Sequence, residues 1–291
     1  TNQNSTPISS KSNEKFETFC RKLNMSVSDE NINKIKGKLM SEYEDVFAKD
    51  GELKVMNTQP MKITLMEDAK PFALYGCRAI PLAYRKLVRA ELEDMEKKGI
   101  IEKVGDRHTE WAHPMVVVPK PDGSVRVTID LTELNSQVKR VVHNARTPAD
   151  VIADRLKNAK YFSCMDAKSG YWQIPLEENS RDYTVFITPW GKYRYLRACM
   201  GFISAGDAYN LRGDEAMQNI ENVKKIVDDI LAEDITLKDH LKTVITSHNG
   251  TGTMPTARNH IEPEEIPFRA RKGEIRRIHR LTNGHGSRSK E

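Results

Sequence analysis

Two adjacent aspartates inside an apolar stretch constrain this chain more than any other feature. Asp228 and Asp229 lie within the run KIVDDIL (225–231), and Asp166 ends a strand predicted over residues 161–166. Carboxylates in such surroundings are costly to bury unless they are hydrogen-bonded or bound to a cation. Hard divalent cations such as Mg²⁺ prefer oxygen ligands together with substrate phosphates. The sequence therefore predicts strand ends that meet at a metal site, although an isolated Asp-Asp pair is more often a solvated surface turn.

Apolar and turn residues predict a mixture of helices and strands. Val88, Leu92 and Met95 recur at helical spacing within residues 85–98. A Pro-Asp-Gly turn divides two β-rich runs in residues 115–130, which is typical of a hairpin. The other predicted elements are the strand at 161–166, a helix at 206–220 and a second hairpin at 223–232. Because helices and strands mix without regular βαβ alternation, the predicted fold class is α+β.

Composition excludes net charge as an argument for nucleic-acid binding. The formal net charge is +5 over 291 residues, and residues 247–291 contribute nine basic and five acidic side chains. The preceding residues are nearly neutral, so an assignment to nucleic acid must rest on motifs. No apolar run approaches the ~20 residues of a membrane-spanning helix, and we expect no membrane partner. The four cysteines form no C-x-x-C pair, which argues against a zinc knuckle and favours a reducing intracellular compartment.

Three consecutive motifs resemble those of reverse transcriptases from gypsy-type LTR retrotransposons. They are FSCMDAKSGYWQIPL (162–176), FITPWGKYRYLRACMGF (186–202) and KIVDDIL (225–231). Segments that precede these motifs, such as AHPMVVVPKPDGSVRVTIDLTELN, also occur in the order used by that family. The resemblance therefore runs from about Glu42 to Val244. It implies a Pol polyprotein fragment with an α+β right-hand polymerase fold. Fingers and an antiparallel palm sheet are expected, with the thumb missing.

The same resemblance implies an enzyme, an RNA-directed DNA polymerase. It would transfer nucleotides from dNTPs to a primer 3′-OH by a two-metal mechanism, on an RNA or DNA template. The implied cofactor is a pair of Mg²⁺ ions, which Mn²⁺ could replace, and the implied location is cytoplasmic, within a virus-like particle in an intact element. One alternative is a catalytically silent mobile-element remnant with at most residual nucleic-acid binding. A DNA-templated polymerase of the same palm type is another, which the motifs disfavour.

The resemblance also assigns site residues position by position. Asp166 and Asp228 match the metal-binding aspartates, and Asp229 matches the third acid of the site. Tyr171 matches the aromatic residue that stacks below the incoming sugar and excludes a ribose 2′-OH. The remaining nucleotide-binding candidates are the cations that flank the Pro-Asp-Gly turn and the segment under the nucleotide, namely Lys120, Arg126, Met200 and Gly201. Each has a plainer interpretation, as core filling for Tyr171 and Met200 or as a solvated hairpin charge for the two cations.

The chain divides into three predicted segments. Residues 1–41 are polar and predicted to be a flexible leader, and residues 42–246 are predicted to form fingers and palm, with the palm core at about 137–173 and 204–246. Residues 247–291 are predicted to be disordered. Reading His260–His279 one base later permits the thumb-like run ITLNPKKFRFA, so we interpret this tail as an out-of-frame remnant of the thumb. No protease, RNase H or integrase segment is recognisable, and these Pol domains are expected to be absent from this chain.

Overall fold

The computed structural model describes residues 8–44, 53–143, 150, 158–167, 169–218 and 220–248. These residues divide into two units. The first unit contains the described parts of 1–51, 144–168 and 210–291, and the second contains those of 52–143 and 169–209. From residue 249 onward, the predicted tail lies outside the described residues.

Helices and strands alternate irregularly along the chain. The helices are α1 (Ile8–Leu23), α2 (Ile32–Glu42), α3 (Leu82–Lys97), α4 (Thr132–Asn135), α5 (Glu178–Arg181), α6 (Ala205–Met217) and α7 (Leu237–His248). The strands are β1 (Ile101–Lys103), β2 (His113–Pro119), β3 (Val125–Ile129), β4 (Tyr161–Asp166), β5 (Phe186–Thr188), β6 (Gly191–Tyr195), β7 (Val223–Ile226) and β8 (Asp229–Asp234). Short 3₁₀ turns occupy Asp29–Asn31, Gly170–Gln173 and Asp182–Thr184. No helix within these described ranges is long and apolar enough to cross a membrane.

An antiparallel sheet in the order β4-β8-β7 forms the centre of the first unit. Its side chains alternate between two faces, as in any strand. Met165 on β4 and Ile230 on β8 are directly paired and fully buried, and they belong to a core cluster that also includes residues of α1, α2 and α7. The neighbouring positions, Asp166 and Asp229, point to the opposite face. The sheet thus separates an apolar face from a face that carries carboxylates.

The flexible leader predicted over residues 1–41 is a wrong prediction for the part that the structure describes. Phe16, Phe19 and Leu23 lie on one face of α1 and are 2–4% exposed, and Ile35 and Leu39 of α2 are fully buried. All five belong to the core cluster under the sheet. The prediction relied on the polar composition of this segment and overlooked its amphipathic pattern. A few apolar residues at helical spacing are sufficient to anchor a helix by packing.

A buried hydrogen-bond network links the sheet to α7 at the end remote from the aspartates. Ser163 lies 2.8 Å from Nε2 of His240, and Nδ1 of His240 lies 3.0 Å from Asp234, to which it donates because a carboxylate only accepts. Asp234 also accepts from Asn222 at 2.9 Å and from Thr243 at 3.1 Å. The connectivity is that of a hydrolase triad, but Ser163 and His240 are fully buried and no substrate can reach them. The network is therefore structural.

The second unit is built on a five-stranded sheet in the order β1-β6-β5-β2-β3. The β2–β5 pair is parallel and the other pairs are antiparallel. Val88, Leu92 and Met95 of α3 are at most 1% exposed, so the predicted helix face is confirmed. Both predicted hairpins, the predicted strand and the predicted α6 helix are also present. The α+β class is thus confirmed, with strand pairing that is local in the hairpins and long-range elsewhere.

A buried lysine crosses a glycine of α6 in the first unit. Lys225 on β7 is 5% exposed, and its Nζ donates to Oδ1 of Asn210 at 2.9 Å. A Cβ atom added to Gly213 would collide with Cε of Lys225 and would lie 2.8 Å from its Nζ. The absence of a side chain at Gly213 therefore makes room for the lysine.

We expect Gly213→Ala to destabilise the protein although alanine is the better helix former. The Lys225 chain must move away from the new methyl group and lose its bond to Asn210, and an unsatisfied buried group costs about 1–3 kcal/mol. Gly37→Ala is the matched control, because Gly37 is an exposed position within α2 with nothing within 4 Å of an added Cβ. That change should stabilise by about 0.5–1 kcal/mol. Urea unfolding of both variants measures the difference, and equal gains would contradict the packing described for Lys225.

Candidate active site

Two of the three predicted aspartates face each other across a strand pair. Asp166 at the end of β4 is paired in register with Asp229 at the start of β8, and Met165 is paired with Ile230 one step earlier. Directly opposed residues of antiparallel strands project to the same face, where like charges destabilise each other. The amide of Ala167 donates to the carbonyl of Asp228 at 3.0 Å and extends the pairing to the turn. The structure therefore brings the aspartates together at one end of the sheet.

Asp228 occupies the tight turn between β7 and β8. Ile226 pairs with Asp229, so Val227 and Asp228 are the two central residues of the hairpin. Val227 has a φ angle of +51°, in the left-handed region that a β-branched residue rarely adopts. Such a conformation costs on the order of 1–3 kcal/mol and persists only where the surroundings enforce it. The paired strands thus hold the Asp228 backbone in one strained arrangement.

The Asp228 carboxylate is poorly solvated. Its Oδ1 atom is buried and accepts no hydrogen bond from any described residue. Burial raises the pKa of Asp228 above the ordinary aspartate value, and the positive charge of Lys225 opposes that shift. A buried acceptor oxygen without a donor is rare in folded proteins and requires an explanation, of which an ion is one.

The donor set fits a hard cation that completes its shell with other ligands. Within the described ranges, no three His, Cys, Asp or Glu side chains form a group that could hold a metal by themselves. Mg²⁺ is usually held by one or two carboxylates plus water and substrate phosphates rather than by a complete protein cage. Asp166 and Asp229 offer opposed carboxylates, and Asp228 offers an oxygen that accepts no hydrogen bond from the described part of the chain. These side chains therefore suit Mg²⁺ in the presence of a phosphate-bearing substrate.

The two predicted triphosphate cations lie on the β2–β3 hairpin of the second unit. Its turn is fixed by Asp122, whose Oδ1 accepts from the amide and hydroxyl of Ser124 at 2.9 and 2.7 Å, and by Gly123 at φ +83°. Lys120 precedes this turn, and Arg126 is paired with Val118 on the facing strand. Both are exposed, and neither forms an ion pair with another described residue. The hairpin thus presents two cations to solvent.

The predicted segment at Met200 and Gly201 is held against β3 by a side chain that the sequence prediction did not include. Asn135 donates to the carbonyl of Gly201 at 2.8 Å and accepts from the amide of Ile203 at 3.0 Å. Gly201 has a φ angle of +90°, and an added Cβ would lie 3.2 Å from the carbonyl oxygen of Ile129. Glycine is therefore required at this position both for its φ angle and for its close approach to the strand.

Tyr171 is half-buried in the 3₁₀ turn Gly170–Gln173 of the second unit. Its ring meets that of Tyr209 edge to face, with centroids 5.7 Å apart. An added Cβ on Gly206 would lie at van der Waals distance, 3.6 Å, from the Tyr171 hydroxyl. Packing against α6 thus limits the positions that the ring can occupy.

The structure adds two residues to the predicted set. Asn135 fixes the Met200–Gly201 segment, and Lys225 lies buried near the Asp228 turn. Two lysines between the apolar ends of β7 were a visible signal for the second. The sequence offered no comparable signal for the first, because its partners are 66 and 68 residues away.

Comparisons with known proteins find a matching family model and related polyproteins. Residues 118–247 match the family model described as reverse transcriptase (RNA-dependent DNA polymerase). These residues belong to the reverse transcriptase family. The chain is 29% identical over 215 residues to the retrovirus-related Pol polyprotein from transposon 412 of Drosophila melanogaster. That alignment covers 71% of this chain but only 17% of the polyprotein.

Solved structures resemble the fold of most of the chain. The foamy viral protease-reverse transcriptase in complex with dsDNA matches with a TM-score of 0.71 and 19% identity, over 92% of this chain and 53% of that one. The same protein in complex with an RNA/DNA hybrid matches with a TM-score of 0.67 and 19% identity, over 91% and 34%. The likeness confirms the predicted fingers and palm fold.

We expect Asp228→Asn to stabilise the metal-free protein at pH 7 and to weaken its response to Mg²⁺. A pKa that burial raises in the folded state contributes stability at low pH, and this contribution is lost as the pH rises through the folded value. At neutral pH the buried charge is therefore a penalty, which the amide removes. The parent protein should gain thermal stability from millimolar Mg²⁺, because a cation that binds only the folded state stabilises it.

Asp130→Asn is the matched control for this measurement. Hydrogen bonds from Thr132 and Arg78 lower the pKa of Asp130, which means that they stabilise its charged form. Removing that negative charge should therefore destabilise the protein at pH 7 and leave the Mg²⁺ response unchanged. Thermal unfolding with and without Mg²⁺ measures both variants. An undiminished Mg²⁺ response in Asp228→Asn would remove Asp228 from the cation site.

Proposed function

We propose that this reverse transcriptase domain is an RNA-directed DNA polymerase that uses a two-metal mechanism. The primer 3′-OH attacks the α-phosphate of a dNTP on an RNA or DNA template, and pyrophosphate leaves. The observation that carries the proposal is the arrangement of the three aspartate carboxylates at one end of the β4-β8-β7 sheet. Asp166 opposes Asp229 in register, and the adjacent Asp228 has a buried oxygen without a donor among the described residues.

The proposed role of the aspartates is to hold two Mg²⁺ ions, with Mn²⁺ as a substitute. When bound, such ions lower the pKa of the attacking hydroxyl and neutralise charge on the leaving oxygens. Asp166 and Asp228 are the proposed ligands, and Asp229 is the third acid. The strained turn at Val227 and the β4–β8 register keep these carboxylates in place without a substrate.

The second unit supplies the proposed nucleotide contacts. Lys120 and Arg126 bind the triphosphate, for which a flexible ammonium and a planar guanidinium are both suited. The ring of Tyr171 lies under the sugar and excludes a 2′-OH, and Met200 and Gly201 lie under the nucleotide. The foamy viral relatives were solved with dsDNA and with an RNA/DNA hybrid, which supports a primer–template as the partner of this chain.

We expect Asp228→Asn and Asp166→Asn each to reduce primer extension by about 10³-fold, which is about 4 kcal/mol in the barrier. Each change removes one proposed ligand charge while the side chain keeps its size. Asp239→Asn, at an exposed position in the first turn of α7, is the control and should leave extension unchanged. The assay uses oligo-primed RNA and DNA templates with Mg²⁺ and dNTPs.

Each outcome of this assay distinguishes the candidate functions. Parent-level extension by Asp228→Asn would contradict the two-metal assignment. Extension on DNA templates alone would favour a DNA-templated polymerase. No extension by the parent chain on either template, with retained binding of primer–template, is the result expected of a catalytically silent mobile-element remnant.

We expect Tyr171→Val to relax selection against ribonucleotides. Removing the ring opens the space that a 2′-OH would occupy, so the ratio of dNTP to rNTP incorporation should fall by about 10–100-fold, the range that a single steric contact provides. Tyr183→Val is the control, because Tyr183 is also a half-buried tyrosine of the second unit. Its ring packs edge to face against that of Trp111, with the ring centroids 6.2 Å apart. An unchanged ratio in a Tyr171→Val enzyme that still extends primers would exclude Tyr171 from the sugar site.

A further inference from the structure

One buried arginine of the second unit donates hydrogen bonds to four backbone carbonyls. Arg197 is 7% exposed. Its Nε donates to the carbonyl of Gly99 at 2.8 Å and its Nη2 to that of Lys98 at 2.6 Å. Its Nη1 donates to the carbonyls of Leu53 and Trp172, each at 3.1 Å. A single guanidinium therefore joins three segments that are far apart in the sequence.

The positive charge of Arg197 has no acidic partner among the described residues. Burial lowers the pKa of its guanidinium, and no carboxylate opposes that shift. A buried charge without a counter-ion is costly, so the hydrogen bonds to the carbonyls must compensate for the lost solvation. The fork of donors in fixed directions is the property of arginine that matches such a set of acceptors. These bonds are therefore the reason for a charged side chain at this position.

One acceptor belongs to the turn that carries Tyr171. Trp172 is the next residue in the 3₁₀ turn, and its amide donates to the carbonyl of Ser169 at 2.9 Å. Ser169 has a φ angle of +51°, which is an unfavourable conformation for a residue with a side chain. The bond from Arg197 to the Trp172 carbonyl, together with the bond from the Met56 amide to the Gln173 carbonyl at 2.7 Å, connects the turn to the rest of the unit.

The other acceptors include a rigid anchor at the end of α3. Gly99 has a φ angle of +61°, and its amide donates to the carbonyl of Glu96 at 3.0 Å. The amide of Ile100 donates to the carbonyl of Met95 at 2.9 Å. This is the Schellman arrangement, which ends a helix in a defined geometry. A cation beside the last carbonyls of a helix is also favoured by the helix dipole. Arg197 thus connects the Tyr171 turn to a fixed point.

We propose that Arg197 is a positioning residue for sugar selection, because its hydrogen bonds fix the position of the Tyr171 turn relative to the C-terminal end of α3. The inference rests on the proposed polymerase function and extends it to a residue that touches neither nucleotide nor metal. Arg197 acts only through the turn. Loosening it shifts the Tyr171 ring, and small displacements of positioning groups change reaction rates strongly.

The test compares Arg197→Lys with Arg194→Lys in the full chain. Lysine keeps the charge but cannot place four hydrogen bonds in the directions required. We expect the ratio of dNTP to rNTP incorporation to fall on the order of 10-fold in Arg197→Lys, with a larger rise in KM for dNTP than loss in kcat. Arg194 is the matched control, since its side chain is 16% exposed and pairs with Glu178 and Asp182 at 2.8 Å. Its replacement should lower stability without changing the sugar ratio.

A double variant tests whether Arg197 acts through Tyr171. In a Tyr171→Val background the ring is already absent, so adding Arg197→Lys should leave the sugar ratio unchanged. This is the non-additivity expected of two residues that serve one contact. An equal additional loss in both backgrounds, or an unchanged ratio in the single variant, would overturn the proposal.

Hydrogen–deuterium exchange separates the failure of this proposal from the failure of the proposed function. In Arg197→Lys the amides of Trp172 and Ile174, which donate to Ser169 and Tyr171, should exchange faster while β5 and β6 keep their protection. Unchanged exchange in the turn, or uniformly faster exchange across the unit, would show that Arg197 does not position it. A parent chain that extends no primer would refute the polymerase function and, with it, any role in sugar selection, whereas the exchange result would still establish what Arg197 holds.

Discussion

The opposition of two like charges across β4 and β8 is the constraint on which the first unit depends. Asp166 faces Asp229 only while Met165 faces Ile230, because successive side chains alternate between the two faces of the sheet. A slip of one residue would bury the carboxylates against α1, α2 and α7 and expose the apolar pair. Core packing and the site therefore specify the same register, and the carboxylates are held together although they repel each other.

Structural features at both ends of the sheet fix this register. At the site end, the two-residue turn forces Val227 into a left-handed conformation. At the other end, Asp234 accepts hydrogen bonds from His240, Asn222 and Thr243 and so joins β8 to α7. A fully satisfied buried polar network favours one arrangement, because any alternative leaves a polar group without a partner. The strain at the turn is thus sustained by packing and hydrogen bonds elsewhere in the unit.

The second unit positions its loops in a different way. Tyr171, Met200 and Gly201 lie on turns, and single side chains hold those turns through backbone groups. Asn135 bonds to the carbonyl of Gly201 and the amide of Ile203, and Arg197 bonds to the turn that carries Tyr171. Side chains that satisfy loop carbonyls and amides give irregular segments the rigidity that ladders give to strands. Residues that touch no substrate can therefore determine the geometry of those that do.

Local patterns in the sequence determined the helix at α3 and both hairpins, because periodicity and turn chemistry depend on neighbouring residues, and they pointed to the three aspartates as candidate site residues. The same reasoning failed for α1 and α2, where a polar composition outweighed a few apolar residues that packing makes decisive. Only the tertiary structure decided that Asp166 opposes Asp229, that Lys225 crosses Gly213, and that Arg197 bonds to Leu53, Gly99 and Trp172. Such partners are distant in the chain, and a buried polar group finds its acceptors only when the folded backbone brings them within hydrogen-bond reach.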